Sequence, residues 1–198
     1  MSEYITIDTE KDITWKNENI TPLPVHGEDY FMLDVRIPEY KGEFPNAAMV
    51  HLAKRLRMTM KLYSGLGLSA NQCGVAERMF VIGSGEFQLT CLNPKLKAQS
   101  AKRSKEKEGC LSHPGLFLIV DRPEVIEVEF LTEDGEKKEM TLEGITARCF
   151  LHELDHLDGV RYTKLVKPLA LRMARQRANK LVKKIVRKNK NERLATRV

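Results

Sequence analysis

The chain has 198 residues, 42% apolar and 30% charged, which suits one soluble globular domain with a sizeable core. No apolar run approaches the roughly 20 residues that a membrane-spanning helix needs. The net charge of +6 conceals an asymmetry: residues 161–198 carry seven Lys and seven Arg against one acid, Glu192, a local net of +13, whereas residues 1–160 net −7. A basic end of that density is expected to meet a polyanion.

Residues Met1 to Lys11 are polar and acidic, unlike a secretory signal or an Arg-rich transit peptide, so a cytoplasmic location is expected, with no membrane association. Cys73, Cys91, Cys110 and Cys149 form no C-x-x-C pair. In a reducing compartment they read as three core thiols and one ligand rather than two disulfides. Asp34, Pro38 and Gly42 punctuate residues 1–45, which predict loop and one short strand. Asn46 then caps a helix over Ala47 to Tyr63, with Met49, Leu52, Leu56, Met60 and Tyr63 on one face, stopped by Gly65 and Gly67. From Met79 to Met140 the pattern is mostly strand: 79–82, 88–92, 116–120 and 125–131, the last alternating around Glu127 and Glu129. Asp134-Gly135 marks a hairpin into a strand ending near Leu142. Gly144 to Leu157 reads as a helix with Ile145, Phe150, Leu154 and Leu157 supplying apolar surface, ended by Gly159. Pro168 opens a final helix with an apolar stripe at Leu171, Ala174, Ala178, Leu181 and Ile185, and fraying is expected after Lys188.

The chemistry concentrates in three segments. His152-Glu153-Leu154-Asp155-His156 puts two imidazoles one helical turn apart on one face, with a carboxylate between them. Such a pair can share a divalent metal, and the Glu can deprotonate an activated water. A catalytic site needs a third protein ligand, and Cys110, in Glu108-Gly109-Cys110-Leu111-Ser112, is a candidate; taken alone, a small core thiol is the commoner fate of such a residue. Gly65 to Gln72 (GLGLSANQ) offers small residues beside which a peptide can lie, and an amide donor in Gln72 for a developing oxyanion.

Together and in this order, GLGLSANQ (65–72), EGCLS (108–112) and LHELDHLDG (151–159) resemble the peptide deformylase family. The resemblance covers roughly residues 47–165. It implies an α+β fold in which antiparallel sheets surround a central metal-binding helix, flanked by an N-terminal and a C-terminal helix. It divides the chain into a catalytic domain over 1–167, of which 1–45 is a poorly matched extension, and a basic C-terminal helix and tail over 168–198. It also implies hydrolysis of the N-formyl group of N-formylmethionine on nascent polypeptides. Cys110, His152 and His156 are then the metal ligands, for one divalent ion, expected to be Fe2+, with Zn2+, Ni2+ or Co2+ able to use the same donors. Glu153 becomes the general base and acid, and Gln72 with the Leu111 backbone N–H the oxyanion hole. Gly65, Leu66, Gly67, Gly109, Ile145, Arg148 and Cys149 fall at substrate-binding positions, with the stem of Arg148 contributing to a methionine slot. The basic helix resembles one that docks bacterial members on ribosomal RNA near the peptide exit, and a monomer is expected.

Some positions depart from the family pattern. Ser69 replaces an Ala, Leu151 replaces a Gln beside the first ligand, and Phe117 stands where many members have Arg. His113 replaces an aliphatic residue and is expected at the rim. Two other readings compete: a zinc endopeptidase with a third carboxylate ligand, and a nucleic-acid-binding protein with a structural metal. The first gives Cys110 and Gln72 no role; the second leaves Glu153 unexplained and normally requires four protein ligands.

Overall fold

A computed structural model describes residues 20–84 and 87–195. It shows a mixed fold of three helices and antiparallel sheet. Helix α1 (Ala47–Leu62) begins as expected at Asn46, whose side-chain oxygen accepts from the N–H groups of Ala48 and Met49. Its buried face is Met49, Leu52, Ala53, Leu56, Thr59 and Met60. Tyr63, expected on that face, is half exposed, because the helix has already ended and Tyr63 is its C-cap.

Strands β1 (Gly67–Ser69), β2 (Met79–Ser84), β3 (Phe87–Gln99), β6 (Val125–Leu131) and β7 (Lys137–Glu143) form a five-stranded sheet in the order β1-β2-β3-β6-β7. Every neighbouring pair is antiparallel. Strand β6 alternates as its sequence predicts, with Ile126, Val128 and Phe130 inward. Strands β4 (Arg103–Cys110) and β5 (His113–Pro123) form a separate two-stranded sheet. Leu116, Leu118 and Val120 point to the inner face of β5, while Phe117, Ile119 and Asp121 point out. Strand β4 has no apolar alternation for the sequence to reveal, since its residues from Arg103 to Lys107 are polar and nearly all exposed.

Two apolar clusters hold the larger sheet. One side packs Phe80, Ile82, Ile126, Val128 and Phe130 against Phe150, Leu151, Leu154 and Leu157 of helix α2 (Gly144–Leu157). The other packs Leu68, Met79, Val81 and Leu92 against α1. Gly159, at φ +71, turns the chain out of α2, as expected of a residue just past a helix end. Helix α3 (Pro168–Ala195) lays Leu171 and Ala174 on Leu116, Leu118, Val120 and Tyr162, so it covers the hairpin rather than the main sheet. It continues past Lys188, where fraying was expected; its Lys, Arg, Glu and Leu residues are good helix formers. The side chains of Leu181 and Ile185 lie outside the described residues.

The N-terminal segment holds a 3-10 turn (Phe31–Asp34) and a single bridge between Arg36 and Asp158, where one short strand was expected. Residues 1–19 lie outside the described residues. From residue 20 the segment wraps the body: Leu23 N donates to Thr59 Oγ1, His26 N to Gln72 O, and Ile37 N to Leu157 O.

Phe150 is fully buried and meets Phe80 edge-on, with ring centroids 5.0 Å apart. Phe150→Ala is expected to cost about 3–5 kcal/mol, read as a lower urea midpoint. An unshifted midpoint would contradict its place between sheet and helix.

Candidate metal centre

Helix α2 is amphipathic in an unusual way. One face is apolar and packs on the main sheet; the other carries Arg148, His152 and Asp155 toward the β4–β5 hairpin. The rings of His152 and His156 stand nearly perpendicular, with centroids 4.9 Å apart. Cys110 ends β4 at a register irregularity, which delivers its sulfur to the helix: Sγ lies 3.2 Å from His156 Nε2. One ligand atom from each of Cys110, His152 and His156 falls within 4.8 Å of the others. A thiolate and two imidazoles are donors that suit a divalent transition metal, and three protein ligands leave a corner open.

The second row is built around Glu108. Its Oε2 lies 3.2 Å from His152 Nδ1, an arrangement that leaves the other ring nitrogen for the metal. Arg122 donates to both its oxygens, Nε to Oε1 at 2.9 Å and Nη2 to Oε2 at 3.0 Å. Arg148 Nη1 donates to Oε1 at 2.7 Å. Burial favours the neutral acid, but the bonds from His152 and Arg122 outweigh it and hold Glu108 down at about 2. The two imidazoles diverge. Burial disfavours a charged His152, yet Cys110 and Glu108 raise it to about 10; burial and the charge on His152 push His156 well below its usual value.

Glu153 is buried, which pushes its carboxyl up to about 7 despite opposing effects from His152 and Ser69. Its Oε2 has no hydrogen-bond partner. It faces the start of β1, and a Cβ added to Gly67 would lie 2.5 Å from Glu153 Oε1 and 2.8 Å from Cys149 Sγ. A side chain at this position would have to displace the Glu153 carboxylate and the Cys149 sulfur. Gln72 is held by one end: Ser69 N and Oγ donate to its Oε1 at 3.0 and 2.9 Å. Its Nε2 donates to Ser112 Oγ at 3.1 Å and lies 3.5 Å from Cys110 Sγ. Ser69 therefore orients the amide, a role that its place in the motif does not reveal. Asn71 Nδ2 donates to Met32 O and His156 O, tying this turn to the end of α2.

The remaining candidates are spread around this centre. Leu111 follows Cys110 and packs beside Gly65. Gly109 lies beneath the Phe117 ring, which itself sits under Lys107 Nζ at 4.8 Å. Leu66 and Ile145 are 49% and 56% exposed, so both lie at the surface rather than in the core, where the sequence places Ile145 as packing surface. Cys73 and Cys91 are buried; Cys149 is half-buried, packs against the core cluster of the main sheet and donates to Leu66 O at 3.1 Å. The guanidinium of Arg148 points into the seam between α2 and the hairpin. Leu151 packs in the core, and the polar contact on His152 comes from Glu108 instead.

His113 corrects an expectation. It is not at the rim: its ring is buried edge-on to Tyr162, with both nitrogens unpartnered. Burial pushes it down to about 4, and the Glu28 carboxylate 3.8 Å away does not reverse this. Arg122 and Tyr162 join the site without any signal in the sequence. Arg122 bonds Glu108 and Asp155, and Tyr162 stacks edge-on to His152 at 5.3 Å while donating to Leu116 O at 2.9 Å. Neither belongs to a motif, and each reaches the site only through the folding of distant segments.

Comparison with known proteins agrees with this geometry. The family model described as polypeptide deformylase matches residues 25–172. A peptide deformylase of Aquifex aeolicus is 38% identical over 152 residues, covering 74% of this chain and 89% of that protein. One from Rhizobium meliloti is 36% identical over 143 residues, covering 70% and 82%. Among solved structures, a peptide deformylase from Legionella pneumophila superposes with a TM-score of 0.76 at 29% identity, covering 84% of this chain and 99% of that one. One from Synechococcus elongatus in complex with actinonin gives 0.74 at 31% identity, covering 80% and 86%.

Cys110→Ala removes the one sulfur donor from the cluster. The purified variant is expected to lose most of its divalent metal per chain relative to the parent. Full metal content in that variant would show that the thiol is not a ligand.

Proposed function

We propose how the residues of this chain, which belongs to the polypeptide deformylase family, divide the work of that family's reaction. The chain is a metallohydrolase that removes the N-formyl group from the N-formylmethionine of nascent polypeptides. The assignment of roles rests on one observation: a convergent thiolate and imidazole pair with a buried, partly unpartnered carboxylate beside it, at the edge of a sheet.

A divalent cation held by Cys110, His152 and His156 supplies, when bound, a Lewis acid that lowers the pKa of water. We take ferrous iron as the native ion, and zinc, nickel or cobalt suit the same donors. Glu153 accepts the proton of the attacking water at Oε2, which no other group occupies. Water then attacks the formyl carbon. Gln72 Nε2 and the Leu111 N–H donate to the oxygen as it gains charge, and each such donor is worth roughly a hundredfold to a thousandfold in rate. Ser69 keeps the amide end of Gln72 turned toward Cys110. Glu153 returns its proton to the departing amine, which cannot leave as an anion.

The substrate main chain lies along β1, an edge strand whose free side begins at Gly67 beside Glu153. Gly65 and Gly109 flank this path without side chains. Leu66, Ile145 and Cys149 border the opening for the methionine side chain, with the stem of Arg148 behind them. The endopeptidase alternative has no use for Cys110, whose sulfur lies within 4.8 Å of a ligand atom on each imidazole. A structural metal would want a fourth protein donor, and the cluster among the described residues has three.

Helix α3 is the part that meets the ribosome in this proposal. It is anchored by Leu171, Ala174 and a paired Arg175–Glu28 contact at 2.7 and 3.0 Å, while Arg172, Arg177, Lys180 and Lys183 stay exposed. Those exposed cations suit RNA phosphates.

Glu153→Gln is expected to keep its metal and lose about 100-fold to 10,000-fold in deformylation of an N-formylmethionyl dipeptide. Near-normal turnover would refute the base assignment. A stop after Ala178 keeps the anchoring residues and removes most of the basic helix. It is expected to abolish low-salt co-sedimentation with ribosomes while dipeptide turnover persists; continued co-sedimentation would refute the docking role.

A further inference from the structure

Cys110 and the two histidines reach the centre from separate pieces of the fold. The hairpin that carries Cys110 makes no strand pairing with the main sheet. Its apolar face, Leu116, Leu118 and Val120, is taken up by Tyr162 and α3, whereas the apolar face of α2 is taken up by the main sheet. Apolar packing therefore does little to fix the hairpin against α2. A ligand set must nevertheless be held to within about half an ångström to bind a metal well.

The seam between them is polar, and two arginines cross it in opposite directions. Arg122, from β5, reaches Asp155 on α2 at 2.6 Å. Arg148, from α2, reaches the hairpin at more points. Its Nη1 donates to Val120 O of β5 at 2.9 Å and to Glu108 Oε1 of β4 at 2.7 Å. Its Nη2 donates to Ser104 O at 2.9 Å and Ser104 Oγ at 3.0 Å, and Nε faces Glu106 Oε2 at 3.7 Å. The side chain is 3% exposed, and both of its terminal nitrogens are committed to the hairpin. Arg148 also lies one turn before His152 on the same face of α2, and both grip the Glu108 carboxylate from that face.

We propose that Arg148 is a positioning residue for the metal centre: it clasps the β4–β5 hairpin to α2 and holds Glu108 against His152 Nδ1, so that the Cys110 sulfur and the His152 ring arrive together. This goes beyond lining the methionine slot and rests on the metallohydrolase reading above. Planarity matters to the role. A guanidinium can serve two main-chain carbonyls, a hydroxyl and a carboxylate at once; an ammonium on a flexible stem cannot.

The test compares the parent with Arg148→Met, which keeps an apolar stem, and Arg148→Lys, which keeps the charge. Metal affinity is measured by chelator competition, the cobalt-substituted forms are compared by their thiolate-to-cobalt absorption, and KM is measured on metal-saturated protein. Arg148→Met is expected to bind metal about 10-fold to 100-fold more weakly with an altered cobalt spectrum, and KM for an N-formylmethionyl dipeptide to move far less. Arg148→Lys is expected to fall between the two. Parent-like metal affinity in either folded variant would overturn the proposal, as would a rise in KM with metal affinity intact, which would mark a slot-lining residue. If Arg148→Met does not fold, Arg148→Lys decides by the same measurement. Failure of the parent itself to bind metal or deformylate would instead refute the underlying reading.

Discussion

The site depends on one buried carboxylate. Glu108 accepts from two guanidiniums and faces an imidazole, and through them it joins β4, β5 and α2. A lone carboxylate is costly to bury, and ion pairing alone does not always compensate. Here both oxygens are filled with hydrogen bonds, and Asp155 and Glu106 balance the second positive charge. The outcome is a rigid polar seam where the chemistry requires convergence of separate elements. Glu108 also engages Nδ1 of His152, so the interaction that ties the hairpin to α2 also orients that imidazole ring.

Around that seam the roles of the elements are divided. The main sheet, α1 and α2 make the apolar body, and α2 turns its other face to the hairpin. The turn carrying Gln72 is braced from three directions: by Ser69 in front, by His26 of the N-terminal segment behind, and by Asn71 to the end of α2. The segment over residues 20–37, which carries no motif, is thus part of what holds Gln72 in place. Tyr162 supplies a similar brace on the other side, packing on His152 and His113 while its hydroxyl is tied to β5.

What was legible in the sequence was local. Asn46 as a cap, the buried face of α1, the alternation of β6, and the pairing of two imidazoles one turn apart depend on residues within a few positions of one another. Strand β4 was not legible because it buries almost nothing; its strand character comes from pairing with β5. The depth of His113 was hidden for a similar reason, since it follows from Tyr162, nearly fifty residues away, closing over it. The resemblance gave only the stem of Arg148 a place, beside a methionine slot; that its guanidinium donates to Val120 O and Ser104 O on the hairpin is visible only in the folded chain.

The sequence by itself determined the donor types and the helical spacing of His152 and His156, because backbone geometry sets which side chains share a face. It also determined the charge imbalance between body and tail. Only the tertiary structure decided that Cys110 meets those rings, that Glu108, Arg122 and Arg148 lock the meeting place, and that Gly67 lies against Glu153. Those contacts join residues 14 to 86 positions apart, and their existence follows from how the sheet, hairpin and helix pack rather than from any pattern along the chain.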